Sequence, residues 1–315
     1  RLRGTILLTG GDLQFVKNLT LRGPGAAVLA ISGGGRGYAV HVTHGVSVSI
    51  TGLAFKDSNF RGNSLSFITN EGKLILSKSI VSNNWFYSDS PPVSEKGGGG
   101  IYNAGTLSLS DTTVSGNTAR DGGGGGIYSL GMLRLTNTTV ANNTAQSSGG
   151  GIYKAGNQSE LTFCTIYGNR ATWGGGIAIV MGFNNNGKQT VPGFIKITNS
   201  IVAANSSARS PDISGSIVTG GYNLIQNPAG AAVIPDHKYS TDLSGMTLTE
   251  VRIDSKLQDN GGYTQTLALL MGSPARDGIP LSACSIDGIS TDQRGTQRPD
   301  DDETACDIGA FESTD

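Results

Sequence analysis

Residues 97–119, GGGGIYNAGTLSLSDTTVSGNTA, are followed at residues 123–145 by GGGGIYSLGMLRLTNTTVANNTA, and this repetition decides the fold prediction. The isoleucine after each glycine run recurs at spacings of 26, 25 and 25 residues, at Ile101, Ile127, Ile152 and Ile177. Asparagine keeps the same period, with 26 residues between successive members, at Asn117, Asn143 and Asn169. A fixed period of this length is the signature of a repeat architecture.

The asparagine column extends outward along similar sequence. Asn84 and Asn205 join it, and Asn59 joins it 25 residues before Asn84. The gaps of 33 residues before Asn117 and 36 residues before Asn205 each contain an insertion.

Alignment on these asparagines produces columns of apolar residues. Three positions before the asparagines stand Val81, Val114, Val140, Ile166 and Val202. Eight positions before them stand Leu76, Leu109, Leu135, Leu161 and Ile197, and ten positions before them Leu74, Leu107, Leu133, Ser159 and Ile195. The even step between the last two columns is the alternation of a strand with one buried face. The step of five residues between the first two columns is odd, so one continuous strand would point their side chains to opposite faces. A corner must therefore lie between them, and we place it near Asp111 and Thr112.

A repeat of about 25 residues, built from short strands and corners, is too short for a βαβ unit and lacks helical periodicity. It predicts one coil of a parallel β-helix, in which each strand pairs with its equivalents in the neighbouring coils. Glycine and asparagine suit the corners because both accept left-handed backbone conformations. A phosphate-binding glycine loop is disfavoured, since no helix pattern follows the glycines and the run recurs along the chain.

Composition and charge exclude several classes of function. Of 315 residues, 48 are glycine and 15% are charged, which disfavours helix, while 37% are apolar, enough for a sizeable core. The formal net charge of −1 lacks the positive excess typical of a nucleic-acid-binding protein. No apolar run approaches the length of a membrane span. We therefore expect no nucleic acid partner and no membrane span.

The chain resembles two related groups of bacterial proteins. The segments KNLTLRGPGAAVLAISGGG and VSVSITGLAFKDSN, with the glycine-isoleucine repeats, look like the β-helix of surface proteins related to polymorphic outer membrane proteins. The segments LQDNGGYTQTLALLMGSPARDG, TDQRGTQRP and CDIGAFE resemble the ending of secreted choice-of-anchor Q domain proteins. The resemblance implies an all-β, right-handed, single-stranded parallel β-helix, a pectate-lyase-like solenoid, in an extracellular or bacterial cell-surface location. For most members it implies no established chemistry.

The predicted organisation is one domain with two parts. Residues 1–226 form the β-helix, and residues 227–315 form irregular terminal coils and a loop-rich tail that caps the end. A cap is expected because an open last coil would expose unpaired strand edges. The N-terminus shows no cap pattern, so the first coil is exposed, covered by upstream sequence, or covered by a partner. End-to-end self-association through this coil is one such partnership.

The cysteines predict one disulfide. Cys284 and Cys306 lie in a tail with little apolar sequence, where a crosslink does most to order the chain, so we expect them to pair. A disulfide fits an oxidising compartment. Cys164 stands in a column of small residues and is interpreted as a small residue at a corner; the other members are Ser79, Thr112, Thr138 and Ser200.

A catalytic site is weakly indicated. A glycosidase needs two carboxylates roughly 5 to 10 Å apart, and the columns supply no such pair. The best combination of charged residues comes from different edges of the coil and consists of Asp111, Arg120, Asp121 and Lys78. Solvated surface charges are the favoured interpretation of these residues. A polysaccharide lyase or glycoside hydrolase stays the alternative function.

Aromatic residues suggest a ligand-binding surface. Tyr102, Tyr128 and Tyr153 follow the repeated isoleucines, so they form an outward ladder if the isoleucines point inward. Further aromatic residues follow two of the asparagine corners: Trp85, Phe86, Tyr87 and Trp173. Aromatic rings beside polar side chains suit glycan recognition. The favoured interpretation is that these rings only close the corners and shield the side of the coil.

Calcium is the one cofactor that the sequence raises. Asp300, Asp301, Asp302 and Glu303 supply the oxygen ligands that a hard cation prefers, but their spacing differs from an EF-hand loop. A solvated acidic turn is the favoured interpretation. Together these patterns predict a secreted or cell-surface structural or adhesive module that contacts extracellular or cell-surface glycans.

Overall fold

The computed structural model describes residues 2–37, 39–61, 66–87, 97–183, 189–233, 241–300 and 303–314. Within these residues the chain winds into a solenoid in which parallel strands of successive coils lie one over the next. The predicted parallel β-helix is therefore confirmed. The strands form three stacked sheets, with the main core between the two larger ones, and a small separate sheet in the tail.

The flank sheet is named for its position on one side of the solenoid. Its strands, in the order in which they pair, are Gly4–Leu7, Leu29–Ser32, Ala54–Lys56, Ile80–Ser82, Thr113–Ser115, Thr139–Ala141, Thr165–Tyr167, Ile201–Ala203, Leu224–Ile225 and Leu243–Ser244.

The wide sheet contains two stacks of strands that meet at Ile213–Thr219, which pairs with both. The first stack is Leu13–Phe15, Val40–Val42, Ile68–Asn70, Ile101–Asn103, Ile127–Ser129, Ile152–Ala155 and Ile177–Phe183. The second stack is Leu19–Arg22, Ser47–Thr51, Lys73–Ser77, Thr106–Ser110, Met132–Thr136, Gln158–Thr162, Phe194–Thr198 and, beyond Ile213–Thr219, Ala231–Val233. Gln189–Pro192 pairs antiparallel with Ile177–Phe183.

The short sheet follows the asparagine corner of each coil. Its strands are Asn59–Arg61, Trp85–Tyr87, Thr118–Ala119 and Thr144–Ala145, and single bridges continue it to Arg170 and Ser206. The remaining elements are the antiparallel pair Ile279–Pro280 and Ala305–Cys306, the α-helices Leu248–Val251 and Leu281–Cys284, and the 3₁₀-helix Gly34–Arg36. None of the helices in the described part of the chain has the length and hydropathy needed to cross a membrane.

The predicted apolar columns lie in register inside the solenoid. Val81 pairs with Val114, Val114 with Val140, and Val140 with Ile166, and these side chains are fully buried. Burial of each such side chain contributes roughly 1.5–3 kcal/mol, so the stacked core supplies most of the stabilisation. The repeat therefore encodes the core directly.

The corners have the left-handed backbone that the odd step in the columns requires. Asp111 has φ +49°, and its equivalents Lys78 and Asn137 have φ +50° and +43°. Glycine is required where coils approach most closely, since a Cβ on Gly131 would collide with the carbonyl oxygen of Gly105 in the coil before. The corner near Asp111 and Thr112 is confirmed.

The asparagines form a buried ladder along the solenoid. Asn117 Nδ2 donates to Asn143 Oδ1 at 2.9 Å, and Asn143 Nδ2 donates to Asn169 Oδ1 at 3.0 Å. The prediction that Asn59 belongs to this column is wrong, because Asn59 pairs with Trp85. Ser58 occupies the column instead, since this coil has 26 residues, and its backbone N–H donates to Asn84 Oδ1 at 3.2 Å.

The tail, residues 254–300 and 303–314, lies along the flank sheet, which corrects the expectation that it caps the end of the solenoid. Thr113 Oγ1 donates to the carbonyl oxygen of Gln265 at 2.6 Å, and the backbone N–H of Ala310 donates to Thr165 Oγ1 at 3.0 Å. The physical reason is a column of outward, uncharged side chains on the flank sheet, which the tail covers and buries. This column consists of Thr113, Thr139, Thr165, Ile201 and Leu224.

The cysteine predictions are confirmed. Cys284 and Cys306 form a disulfide with a Cα–Cα distance of 5.8 Å, which links the helix Leu281–Cys284 to the strand Ala305–Cys306. Cys164 is free and fully buried, and its backbone N–H donates to Ser200 Oγ at 3.0 Å. It serves as a small residue at a corner, as its column predicts.

Candidate ligand-binding groove

An open groove of about 550 Å³ runs along the short sheet, parallel to the solenoid axis. Its base follows the stacked alanines Ala119, Ala145 and Ala171, which point into the protein and pack on one another. Threonine, serine, glutamine and arginine side chains from the flanking positions form its walls. The groove is straight because the same short strand recurs in register in each coil.

Two exposed tryptophans, each paired with an arginine, lie next to residues that line the groove. Trp85 lies in the coil before Thr118 and pairs with it, and Trp173 follows Thr172 in the third of the four coils that line the groove. Trp85 is 38% exposed, and the Arg120 guanidinium lies 5.5 Å from its ring centroid. Trp173 is 42% exposed, and the Arg209 guanidinium lies 4.6 Å from its ring centroid. These distances are within the range of cation–π attraction, which holds each guanidinium at the edge of the groove.

The residues that follow Trp85 divide between the surface and the interior. Phe86 is buried with Phe60 and Ala39, so the prediction that it contacts a ligand is corrected. Alternation along the strand explains this, because Trp85 and Tyr87 point to one side and Phe86 to the other. Tyr87 is half-buried on the side of Trp85.

The tyrosine ladder exists but is buried, which corrects the prediction of an exposed binding surface. Tyr102, Tyr128 and Tyr153 are 7%, 4% and 6% exposed. Their rings stack with centroid distances of 5.6 and 4.5 Å. The glycine run covers the rings, since a Cβ on Gly123 would lie 2.9 Å from the Tyr153 ring. The tyrosines therefore close the corner of the coil, and the glycines are there to accommodate them.

The predicted catalytic combination is not brought together. Lys78 and Asp111 occupy the corner before the flank sheet, under the tail, where Thr264 Oγ1 donates to the carbonyl oxygen of Asp111 at 3.2 Å. Arg120 and Asp121 follow the short sheet instead, so the strand Thr113–Ser115 separates the two pairs.

Asp111 has a perturbed pKa with a structural cause. Burial raises the pKa of its carboxyl to about 6, while the hydrogen bond from Asn137 and the charge of Lys78 oppose the increase. The Lys78 ammonium also lies 3.9 Å from the ring centroid of Tyr263 in the tail. These contacts show that the corner at Asp111 is packed beneath the tail.

The acidic turn is partly within the described residues. Burial raises the pKa of Glu303 to about 7, and the neighbouring carboxylates of Asp277 and Asp300 raise it further. Asp301 and Asp302 lie outside the described residues. Among the residues that are described, no group of three or more His, Cys, Asp or Glu side chains is arranged to hold a metal ion.

Sequence reasoning missed a buried polar network in the tail, although the motifs that form it were visible. Arg298 Nη1 donates to Glu312 Oε2 at 2.7 Å, with both side chains fully buried, and the Arg298 guanidinium lies 4.4 Å from the Phe163 ring centroid. Gln293 Nε2 donates to Thr113 Oγ1 at 2.9 Å. These residues come from TDQRGTQRP and CDIGAFE, so the two motifs fasten the tail to the flank sheet.

Sequence reasoning also missed Arg170, which lines the groove, and Arg209, which packs on the Trp173 ring beside it. The signal for Arg170 was available, because it follows Asn169 as Trp85 follows Asn84. The position of Arg209 depends on the path of a loop and has no repeat equivalent in the other coils.

A second cleft, of about 450 Å³, lies between the tip of the tail and the first strands of the flank sheet. Lys56 in its wall is ion-paired with Asp57 at 3.3 Å. The groove on the short sheet is the better candidate site, because it combines length along the axis with exposed aromatic rings.

Comparison with known proteins gives one match. The model of a family described as "Right handed beta helix region" matches residues 4–190. Neither the curated proteins nor the solved structures contain a match to the chain.

Proposed function

The chain belongs to the right-handed β-helix family, and from this premise we propose that it is an extracellular binding module that holds an extended glycan in the groove of the short sheet. The fold alone supports no particular function, since β-helices carry many. The groove and the side chains around it are what support this one.

The repeat of the groove matches the repeat of a polymer. Successive coils of a parallel β-helix are about 4.8 Å apart, so equivalent polar side chains recur along the axis. Thr118 and Thr144 occupy equivalent positions, and Gln146 and Thr172 line the groove farther from the asparagine corner. Hydroxyl and amide groups at a regular spacing can bond to the hydroxyls of consecutive sugars.

The two tryptophan–arginine pairs are the observation that carries the proposal. Few large aromatic rings are exposed among the described residues, and Trp85 and Trp173 both lie next to residues that line the groove. The C–H faces of sugars pack on aromatic rings while their hydroxyls take hydrogen bonds. The two rings belong to coils three steps apart in the stack, so together they would hold two points of an extended chain.

The extracellular location rests on separate support. The Cys284–Cys306 disulfide is typical of oxidising compartments. The likeness of the tail motifs to choice-of-anchor Q domain proteins, and of the repeats to polymorphic outer membrane proteins, also supports a secreted or surface-attached, adhesive role. This closer family assignment is part of the proposal.

The test is binding to a panel of neutral and acidic polysaccharides, followed by calorimetry on the best ligand. Trp85→Ala and Trp173→Ala should each weaken affinity roughly three- to tenfold, because loss of a stacked ring removes about 0.5–1.5 kcal/mol. Tyr263→Ala, an exposed ring away from the groove, is the matched control. Equal weakening by the control, or no binding by any glycan, would contradict the proposal.

The same incubations distinguish binding from catalysis. Reducing ends and the absorbance of unsaturated products should stay at background, since the acidic candidates Asp111 and Asp121 lie apart. Turnover that is lost in Asp111→Ala would replace the binding function with a lyase or hydrolase.

Self-association through the first coil stays a prediction. The strands Gly4–Leu7 and Leu19–Arg22 pair on one side only, and Ile6, Leu7 and Leu19 are exposed. Sedimentation of the chain at several concentrations tests it, and a concentration-independent monomer would contradict it.

A further inference from the structure

The charge of the groove is one-sided. Among the described residues that line it, Arg120 and Arg170 are charged and none is acidic. The chain as a whole has a net charge of −1, so this excess of positive charge is local. A local field of one sign favours a ligand of the opposite sign.

The two arginines have a defined spacing along the axis. Arg120 belongs to the coil of Asn117, and Arg170 belongs to the coil of Asn169, with the coil of Asn143 between them. Thr118, Thr144 and Arg170 are successive partners across the short sheet. The axial offset of the arginines is therefore two coils, or about 10 Å. They also lie two positions apart along the strand direction, on opposite walls of the groove.

A third arginine lies beside the groove and does not follow the two-coil spacing. Arg209 follows Asn205, in the coil after that of Arg170, and its guanidinium is held over the ring of Trp173. Ser206 is the partner of Arg170 across the short sheet, which places this coil next in the stack. Arg209 therefore adds positive charge beside the groove one coil beyond Arg170, whereas the two-coil spacing is that of Arg120 and Arg170.

We infer that the ligand is an extended polysaccharide that carries a carboxylate or sulfate group on about every second sugar. This inference rests on the proposed glycan-binding function and names the class of glycan. An extended pyranose unit is comparable in length to one coil, so two coils correspond to two sugars. Guanidinium groups bind carboxylate and sulfate through paired hydrogen bonds, which a neutral hydroxyl cannot match.

Chondroitin is the first probe, because it carries a carboxylate on every second sugar. Carboxyl-reduced chondroitin is the neutral control with the same backbone. We expect at least tenfold tighter binding of chondroitin in low salt, and a preference that shrinks as salt is added. Carboxyl-reduced chondroitin sulfate tests whether sulfate serves in place of carboxylate.

Variants identify the groups responsible. Arg120→Gln and Arg170→Gln should each reduce the preference for chondroitin over its neutral form at least threefold, and the double variant should abolish it. Arg134→Gln is the matched control, because Arg134 is an exposed arginine on the wide sheet, paired with Glu160 at 2.8 Å. Unchanged thermal unfolding of the variants would show that only binding is affected.

The outcomes separate this inference from the function on which it rests. If neutral glycans bind as well as acidic ones while Trp85→Ala still weakens them, the charge inference is wrong and the glycan function stands. If the acidic probes fail to bind and a neutral glycan from the panel binds, the same conclusion follows. If no glycan binds, both are wrong. Equal loss in Arg134→Gln would also overturn the role of the groove arginines.

Discussion

The flank sheet and the short sheet belong to the same coils, yet one is an interior surface and the other is open. Thr139 on the flank sheet is fully buried and donates from Oγ1 to Gln293 Oε1 at 2.7 Å. Thr144, five residues later on the short sheet, is half-buried and lines the groove. Threonine thus packs against the tail on one face and lines an open groove on the other.

The tail makes this difference. It packs apolar side chains onto the outer face of the flank sheet and creates a second core there, which includes Leu267, Leu269, Ile279 and Ile308 together with Ile201 and Leu224 of the sheet. Gln293 bonds to threonines of two successive coils at the same time, Thr113 and Thr139. The flank sheet is therefore buried on both faces where the tail covers it, from Thr113 to Leu224, whereas the outer face of the short sheet stays open.

The largest effect on stability is expected from removing a contact that holds the tail on the flank sheet. Arg298→Met leaves Glu312 as a buried carboxylate without its partner, so the free energy of unfolding should fall by about 3–5 kcal/mol. Urea unfolding measures this change. Arg134→Met removes an exposed ion pair and should cost at most about 1 kcal/mol. Equal effects of the two substitutions would show that the tail network does not stabilise the fold.

A second pair of substitutions compares a threonine of the flank sheet with a threonine of the short sheet, and smaller changes in stability are expected. Thr139→Val keeps shape but leaves Gln293 Oε1 without this buried donor, which should cost about 1–3 kcal/mol. Thr144→Val in the groove should change stability by no more than about 0.5 kcal/mol. Thermal unfolding of both variants checks the prediction. A larger loss of stability from Thr144→Val would mean that the Thr144 hydroxyl also contributes to the stability of the fold.

The smallest expected effect concerns the corner beside the flank sheet. The pKa of Asp111 is raised to about 6 in the folded state, mainly by burial, against about 4 in an unfolded chain. Its contribution to stability is therefore complete below pH 4 and is lost as pH rises through 6.

Asp111→Asn should remove this dependence and raise stability at pH 7.5 by about 1 kcal/mol, a value reduced for the partial exposure of the side chain. Asparagine also tolerates the left-handed backbone at this position. Urea unfolding between pH 4 and 8 measures the difference. A stability difference between the two proteins that does not change with pH would contradict the assignment.

Repetition made much of the solenoid predictable and left its surroundings unpredictable. The columns that contain Val114 and Leu109 follow from counting, because each coil must place its core residues over those of the coil below. Asn59 was misplaced by one residue because its coil is one residue longer than the count assumed. The burial of Tyr128 under the glycine run agrees with the interpretation that the tyrosines close the corners. The alternative of an exposed ladder is wrong, although an outward side chain on a strand is normally exposed.

The groove was predictable only in part. Trp85 and Trp173 were found as aromatic residues after asparagine corners, but Arg120 was assigned to a catalytic combination with Asp111 that the coil geometry separates. Arg209 reaches Trp173 through a loop whose path no periodic pattern encodes.

The coil, its corners, its asparagine ladder and the pairing of Cys284 with Cys306 could be predicted from the sequence alone. These features repeat at a fixed period or involve few alternatives, so local spacing specifies them. That the tail covers the flank sheet and leaves the short sheet open is seen only in the tertiary structure. That choice depends on contacts between residues such as Gln293 and Thr113, which lie 180 positions apart, and no local pattern records which face of the solenoid a distant segment will meet.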